Sequence, residues 1–205
     1  MPSEKKVPYF AQFESRTLIQ AFISGQMSAV DDPLWYLSGA HDQAEYAKWC
    51  VHVCGMACLK MHLSFTRSIE IPTLNLARSC TQFGGYALEG EAIHGLIYRP
   101  FLQFVQHAFK MDAQVIEHTP IEHICARFQE KTTAFIASVH PSIRSVTSIP
   151  EVKGGHLVYV FDFDERTNEV LFHNPSGTTV QSQENVRLKM EQFAQFYSGR
   201  GILLP

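Results

Sequence analysis

Charge is scarce in this chain. Only 18% of its 205 residues are Asp, Glu, Lys or Arg, and the formal net charge is -3. That is below the usual globular share of charge and far from an acidic or basic disordered chain. No polybasic run and no stripe of basic and aromatic residues occurs, so neither nucleic acid nor an anionic membrane is expected as a partner. Long hydrophobic runs are also missing. None approaches the ~20 residues of a membrane span, and the opening "MPSEKKVPYF" has no hydrophobic signal core. The reading is a soluble, cytoplasmic protein. Disulfide pairing cannot be complete, because there are five cysteines, and free thiols are the expectation in a reducing compartment. Internal repeats and low-complexity segments are absent. "GGYALEGE" lacks the lysine and the strand–glycine–helix context of a phosphate loop, and reads instead as a turn.

What the chain has is apolar residues, 45% of the total, enough for a substantial core. A length of 205 residues suits one domain over 1–205, with an irregular Asp-, Pro- and Gly-rich stretch, 13–43, as an insertion. "VPYF" carries strand-forming residues. "DQAEYAKWCVHVCGMACLKMHL" reads as helix, with Asp42 capping its start and Glu45 three residues on. Gly55 inside that stretch costs about 1 kcal/mol against Ala. It marks either a helix beginning afresh at Cys54 or a close approach by another backbone. Further helices are expected over 71–84, 98–111 and 120–131, and a short strand over 112–119. Then the pattern turns to β-branched and aromatic residues. "TTAFIASVH", "GGHLVYVFDFD" and "NEVLFHNP" read as three strands, the last two a hairpin. "NVRLKMEQFAQFYS" reads as a late helix and "GRGILLP" as a closing strand. Helices first and strands last predict an α+β fold with helices packed on an antiparallel sheet. "PSIRSVTSIPEVKGG" is a polar loop long enough to border a site.

Candidate chemistry gathers at "WCVHVCGMACLKM". Cys50, Cys54 and Cys58 recur every fourth residue along one helical face. A structural zinc site takes a second pair of ligands. Cys80 and Cys125 are isolated and no His-x3-His occurs, so packing is the plainer role for Cys50 and Cys58. Cys54 differs, because a helix N-terminus favours the thiolate and a following glycine leaves room for a substrate. Such a nucleophile needs a histidine base oriented by Asn or Asp. Among ten histidines, His156 follows two glycines at a strand start. Asn174 lies at the far end of the next strand, and a hairpin sets the two side by side. Asn174 is expected to accept from the His156 Nδ1–H. His52, His94 and His173 read as surface or supporting residues. Trp49 and Tyr46 read as packing against the Cys54 helix.

"VPYFAQ", "CGMACLKM", "GGHLVYVFDFD" and "VLFHNPSG", in that order, resemble the C39-like cysteine peptidases, a bacterial branch of the papain-like superfamily. The likeness covers about 8–12 and 54–180. It implies a papain-like fold, a helical lobe with the cysteine and a β lobe with the histidine, and a hydrolase needing no metal or organic cofactor. It implies Cys54 as nucleophile, His156 as base, Asn174 as orienting group and Gln12 as oxyanion-hole donor beside the Cys54 N–H. Gln12 stands 42 residues before Cys54, further than is usual in that family, so 13–43 must loop out and return. Gln43 is the alternative donor. The expected partner is a peptide or protein substrate. The rival readings are an acyltransferase using the same acyl-enzyme, and a silent peptide-binding module.

Overall fold

A computed structural model describes residues 6–129, 134–147 and 149–205. The first half is helical. After a short α1 (Ile19–Ile23) come α2 (Gln43–Cys50), α3 (Cys54–Arg67) and α4 (Thr73–Gln82). A small hairpin follows, β1 (Ala87–Glu89) and β2 (Ala92–His94), then α5 (Tyr98–Phe109), β3 (Gln114–Ile116) and α6 (Ile121–Gln129). The second half supplies β4 (Ala134–Val139), β5 (His156–Asp164), β6 (Glu169–His173), α7 (Val180–Gln183), β7 (Val186–Lys189), α8 (Met190–Phe196) and β8 (Tyr197–Leu204). Six strands form one antiparallel sheet in the order β3-β8-β4-β5-β6-β7. The expected α+β architecture is what the chain adopts.

The central strand β5 explains the layering. Its residues 156–161 are all buried, so both sheet faces are covered. Leu157, Tyr159 and Phe161 alternate with Val158 and Val160. The first set packs with Met56, Leu59 and Leu63 of α3, Leu76 of α4 and Phe101 of α5. The second packs with Ile124 of α6 and Phe193 and Phe196 of α8. The helix that carries Cys54 therefore lies on one face of the strand that begins with His156.

Three expectations change. The helix expected across 42–63 is two helices, because Val51 and His52 turn and Val53 leaves the helical region. Asp42 does cap the first, accepting from Glu45 N at 2.7 Å. The stretch 185–198 opens as strand β7 before turning helical, its alternating Val186 and Leu188 facing the second core. "VPYF" forms no strand. Val7 and Tyr9 instead tie to the end of β6, through Val7 O on His173 Nε2 at 3.0 Å and the Tyr9 hydroxyl on Asn174 O at 3.1 Å. The first residues of the chain, the end of the helix expected over 120–131 and the start of the strand expected over 132–140 lie outside the described residues.

The stretch 13–43 runs from Gln12, whose Nε2 donates to Cys50 O, to the start of α2. Phe13 and Ile19 pack on Tyr46 and Cys50 of α2. Buried Asp32 pins the loop, accepting from Ser15 N and Oγ, Leu34 N and the Tyr46 hydroxyl. Among the described residues no helix is long and apolar enough to cross a membrane.

Candidate active site

Cys54 stands at the first position of α3 and is half-buried, while Cys50, Cys58, Cys80 and Cys125 are buried. No side chain caps this helix end, and its first backbone bond runs from Ala57 N to Val53 O. The N–H groups of the first turn are thus left for other acceptors. The thiol lies among three backbone N–H groups, those of Leu157, Gly55 and Cys54 itself. These groups and the Arg144 guanidinium favour its thiolate, but burial has the larger effect and raises its pKa. Gly55 is closely covered by side chains. A Cβ there would come 2.7 Å from Leu96 Cδ2 and 3.0 Å from Leu157 Cδ1. Two leucine side chains, not a substrate backbone, fill the space that the glycine leaves.

His156 is reached through Gly154 and Gly155, with φ of 105° and 91°, a region closed to most residues. The histidine is 5% exposed and Asn174 fully buried. His156 Nε2 lies 2.8 Å from Asn174 Oδ1. The hairpin expected from the sequence does bring these two side chains together. The ring nitrogen differs from the expected one, because Nε2 turns to the amide and Nδ1 is left over. Burial, with Arg144 as a second cause, pushes the His156 imidazole down to about 3.

Cys54 and His156 both line a cleft of about 680 Å³. Leu96, Ile97 and Leu157 give it apolar walls, with Arg99, Glu117 and Arg200 as its charged groups. His52, expected at the surface or in support, also lines it. The turn that splits the long helix carries it inward. No residue of 13–43 lines this cleft.

Gln12 is buried, and its Nε2 donates to Cys50 O at 3.1 Å, at the end of α2 and four residues before Cys54. Its backbone N–H donates to Pro175 O at 2.9 Å, so the segment passes beside the Asn174 turn. Its Oε1 is buried without a partner. Gln12 is not among the cleft-lining residues. Gln43 is exposed at the opposite end of α2 from Cys54. Cys58 Sγ donates to Leu157 O at 3.8 Å and Cys50 Sγ to Ala47 O at 3.5 Å. Among the described residues no three His, Cys, Asp or Glu side chains are grouped to hold a metal ion.

Two histidines play roles the sequence did not signal. His62 of α3 is buried with Nδ1 on the Tyr159 hydroxyl at 3.1 Å. His173, expected at the surface or in support, is fully buried between Val7 O and Asn185 N. Arg144 and Ser176 were also missed. The polar loop after β4 returns Arg144 to the site, where its Nε donates to Ser176 Oγ at 2.9 Å.

Residues 5–202 match the model of the Peptidase_C39 like family. A comparison with curated proteins finds no significant match. Among solved structures, the chain is similar to the peptidase domain of Streptococcus ComA, a bi-functional ABC transporter involved in a quorum sensing pathway. There the identity is 15% and the TM-score 0.51, over 75% of this chain and 92% of that one. It is also similar to a C39-like peptidase from Bacillus anthracis, at 15% identity and a TM-score of 0.53, over 75% of this chain and 88% of that one. At such identity the likeness speaks for the fold, a C39-like peptidase fold of the α+β class.

Proposed function

The chain belongs to the peptidase C39 like family, and from that premise we propose that it is a thiol hydrolase that cleaves a peptide bond through Cys54, His156 and Asn174. The observation that carries this reading is the 2.8 Å contact from His156 Nε2 to Asn174 Oδ1, with Cys54 and His156 in one cleft. A nucleophile, a base and a group orienting the base are the parts an acyl-enzyme mechanism needs.

Burial raises the thiol and lowers the imidazole. Both shifts favour a neutral thiol–imidazole pair at rest over a thiolate–imidazolium pair. As Cys54 Sγ attacks the carbonyl carbon, its proton passes to His156 Nδ1, and the carbonyl π electrons move to oxygen. Collapse of the tetrahedral adduct breaks the C–N bond, and the imidazolium gives its proton to the leaving amine. Water, deprotonated by His156, then opens the thioester. The oxyanion would be met by the Cys54 N–H and by the second Nε2 hydrogen of Gln12, whose first is held by Cys50 O. Preorganised donors of this kind are worth 10²–10³ in rate. The partner of this site is a peptide or protein chain, and the reaction uses no cofactor.

Wild type and Cys54→Ala, screened against peptide substrates with and without an added amine, test the reading. Cleavage by wild type alone supports a hydrolase. Amide products only with the amine would reassign it as an acyltransferase. Equal peptide binding by both proteins without turnover would make it a binding module.

A further inference from the structure

Two residues touch the site without a part in that mechanism. Ser176 is fully buried, and Arg144 reaches it from a 3-10 turn, Pro141–Arg144. The turn after β6 places Ser176. Tyr159 pairs with His173 at the end of β6, and the chain then turns, with Gly177 N donating to Asn174 O at 3.1 Å, which leaves Ser176 Oγ beside His156.

The hydrogen bonds fix a proton. Ser176 Oγ lies 3.0 Å from His156 Nε2 and 3.4 Å from Asn174 Oδ1. The Ser176 backbone N–H donates to Asn174 Oδ1 at 3.2 Å, which sets the amide with its oxygen towards the ring. A bare Nε2 lone pair facing that oxygen would be repelled, so Nε2 carries the hydrogen. A guanidinium can only donate, so Arg144 Nε–H takes up one lone pair of Ser176. The serine proton is then free for Asn174 Oδ1. All three side chains agree on one tautomer, with Nδ1 left as the basic nitrogen.

We infer that Arg144 is a positioning residue, which through Ser176 holds His156 as the Nε2–H tautomer and keeps a permanent positive charge behind the ring. Nδ1 is then free to take the Cys54 proton as the thiol attacks, and the guanidinium favours the thiolate that this transfer leaves. The inference rests on the thiol–imidazole reading above. Arg144 opposes the effect of burial on Cys54 and adds to it on His156. The other titratable or charged groups lining the cleft, besides Cys54, are His52, Tyr98, Arg99, Glu117 and Arg200. They are the same in every variant below, so differences report on Arg144.

The test is the pH profile of iodoacetamide alkylation at Cys54, followed by peptide mass mapping. In Arg144→Met the midpoint should rise by about one pH unit, the effect of removing one nearby charge. Alkylation should then fall about tenfold at pH values below both midpoints. Arg144→Lys keeps the charge and should keep most of the wild-type midpoint. Ser176→Ala should raise it by less than Arg144→Met. A merely structural Arg144 would lower the melting temperature and leave the midpoint in place. Wild-type midpoints in folded Arg144→Met and Ser176→Ala would overturn the inference. Should Arg144→Met not fold, Ser176→Ala decides alone, since it removes a single oxygen. His156→Ala separates the two levels. If it leaves the wild-type profile unchanged, the thiol–imidazole reading fails. If it alters the profile while the Arg144 and Ser176 variants do not, only this inference fails.

Discussion

His156 gives its Nε2, not its Nδ1, to Asn174 Oδ1, across 2.8 Å. The partner is a neutral amide, so nothing at that contact offsets the burial that pushes the imidazole down to about 3 except the hydrogen bond itself. Asn174→Asp places a carboxylate at the same point. An opposite charge at that range raises a histidine by about 1–3 units. The expected result is a His156 Cε1–H resonance that titrates 1–3 units higher than in wild type by NMR. An unchanged titration would show that the contact is not formed in solution.

Gln12 makes a separate prediction. Its Nε2 is anchored to Cys50 O, so if its second Nε2 hydrogen serves the oxyanion as proposed, Gln12→Ala removes that donor without touching the thiol. Hydrolysis of an activated ester should fall by about 10²–10³. Alkylation of Cys54 by iodoacetamide forms no oxyanion, and should stay within about twofold of wild type. Ester hydrolysis that survives Gln12→Ala would remove Gln12 from the mechanism.

Acid should unfold this protein early. Burial pushes both His62 and His173 down to about 4, against about 6.5 in an unfolded chain. Between those values the unfolded state binds more protons than the folded one, so stability is full above about pH 6.5 and falls as pH drops towards 4. Each histidine contributes roughly 3 kcal/mol over the whole window. Urea midpoints measured from pH 7 to pH 5, above the range of ordinary carboxylates, should decline steadily. His156 adds to the same slope, so a flat profile there would mean that none of the three rings is held neutral in the fold.

Much of this arrangement was readable from short-range pattern. The "GGH" and "HNP" signals placed His156 and Asn174 at the far ends of one hairpin, because strand pairing is fixed by register and turn length. Asp42 announced its helix by the cap-and-glutamate spacing. The break between α2 and α3 was hinted at only by Gly55, which itself lies within α3, beneath Leu96 from forty-one residues on. Such packing is a tertiary fact with no local trace. Val186–Lys189 was read as helix since a four-residue strand joined to a seven-residue helix leaves too little of either period to tell them apart. Arg144 carries no motif, and Ser176 stands within "VLFHNPSG" with nothing local to mark its role. One sits in a polar loop and the other after a proline, and only the fold brings them to His156.

The central claim is that His156 activates Cys54. Exposure alone would make Cys54 the fastest of the five thiols to label, as the other four are buried. The decisive comparison is therefore the iodoacetamide rate at Cys54 near neutral pH in wild type and in folded His156→Ala. Removal of a general base costs about 10²–10⁴ in a reaction that depends on it, and at least a tenfold slower rate is expected in the variant. Equal rates at Cys54 in the two proteins would contradict the account.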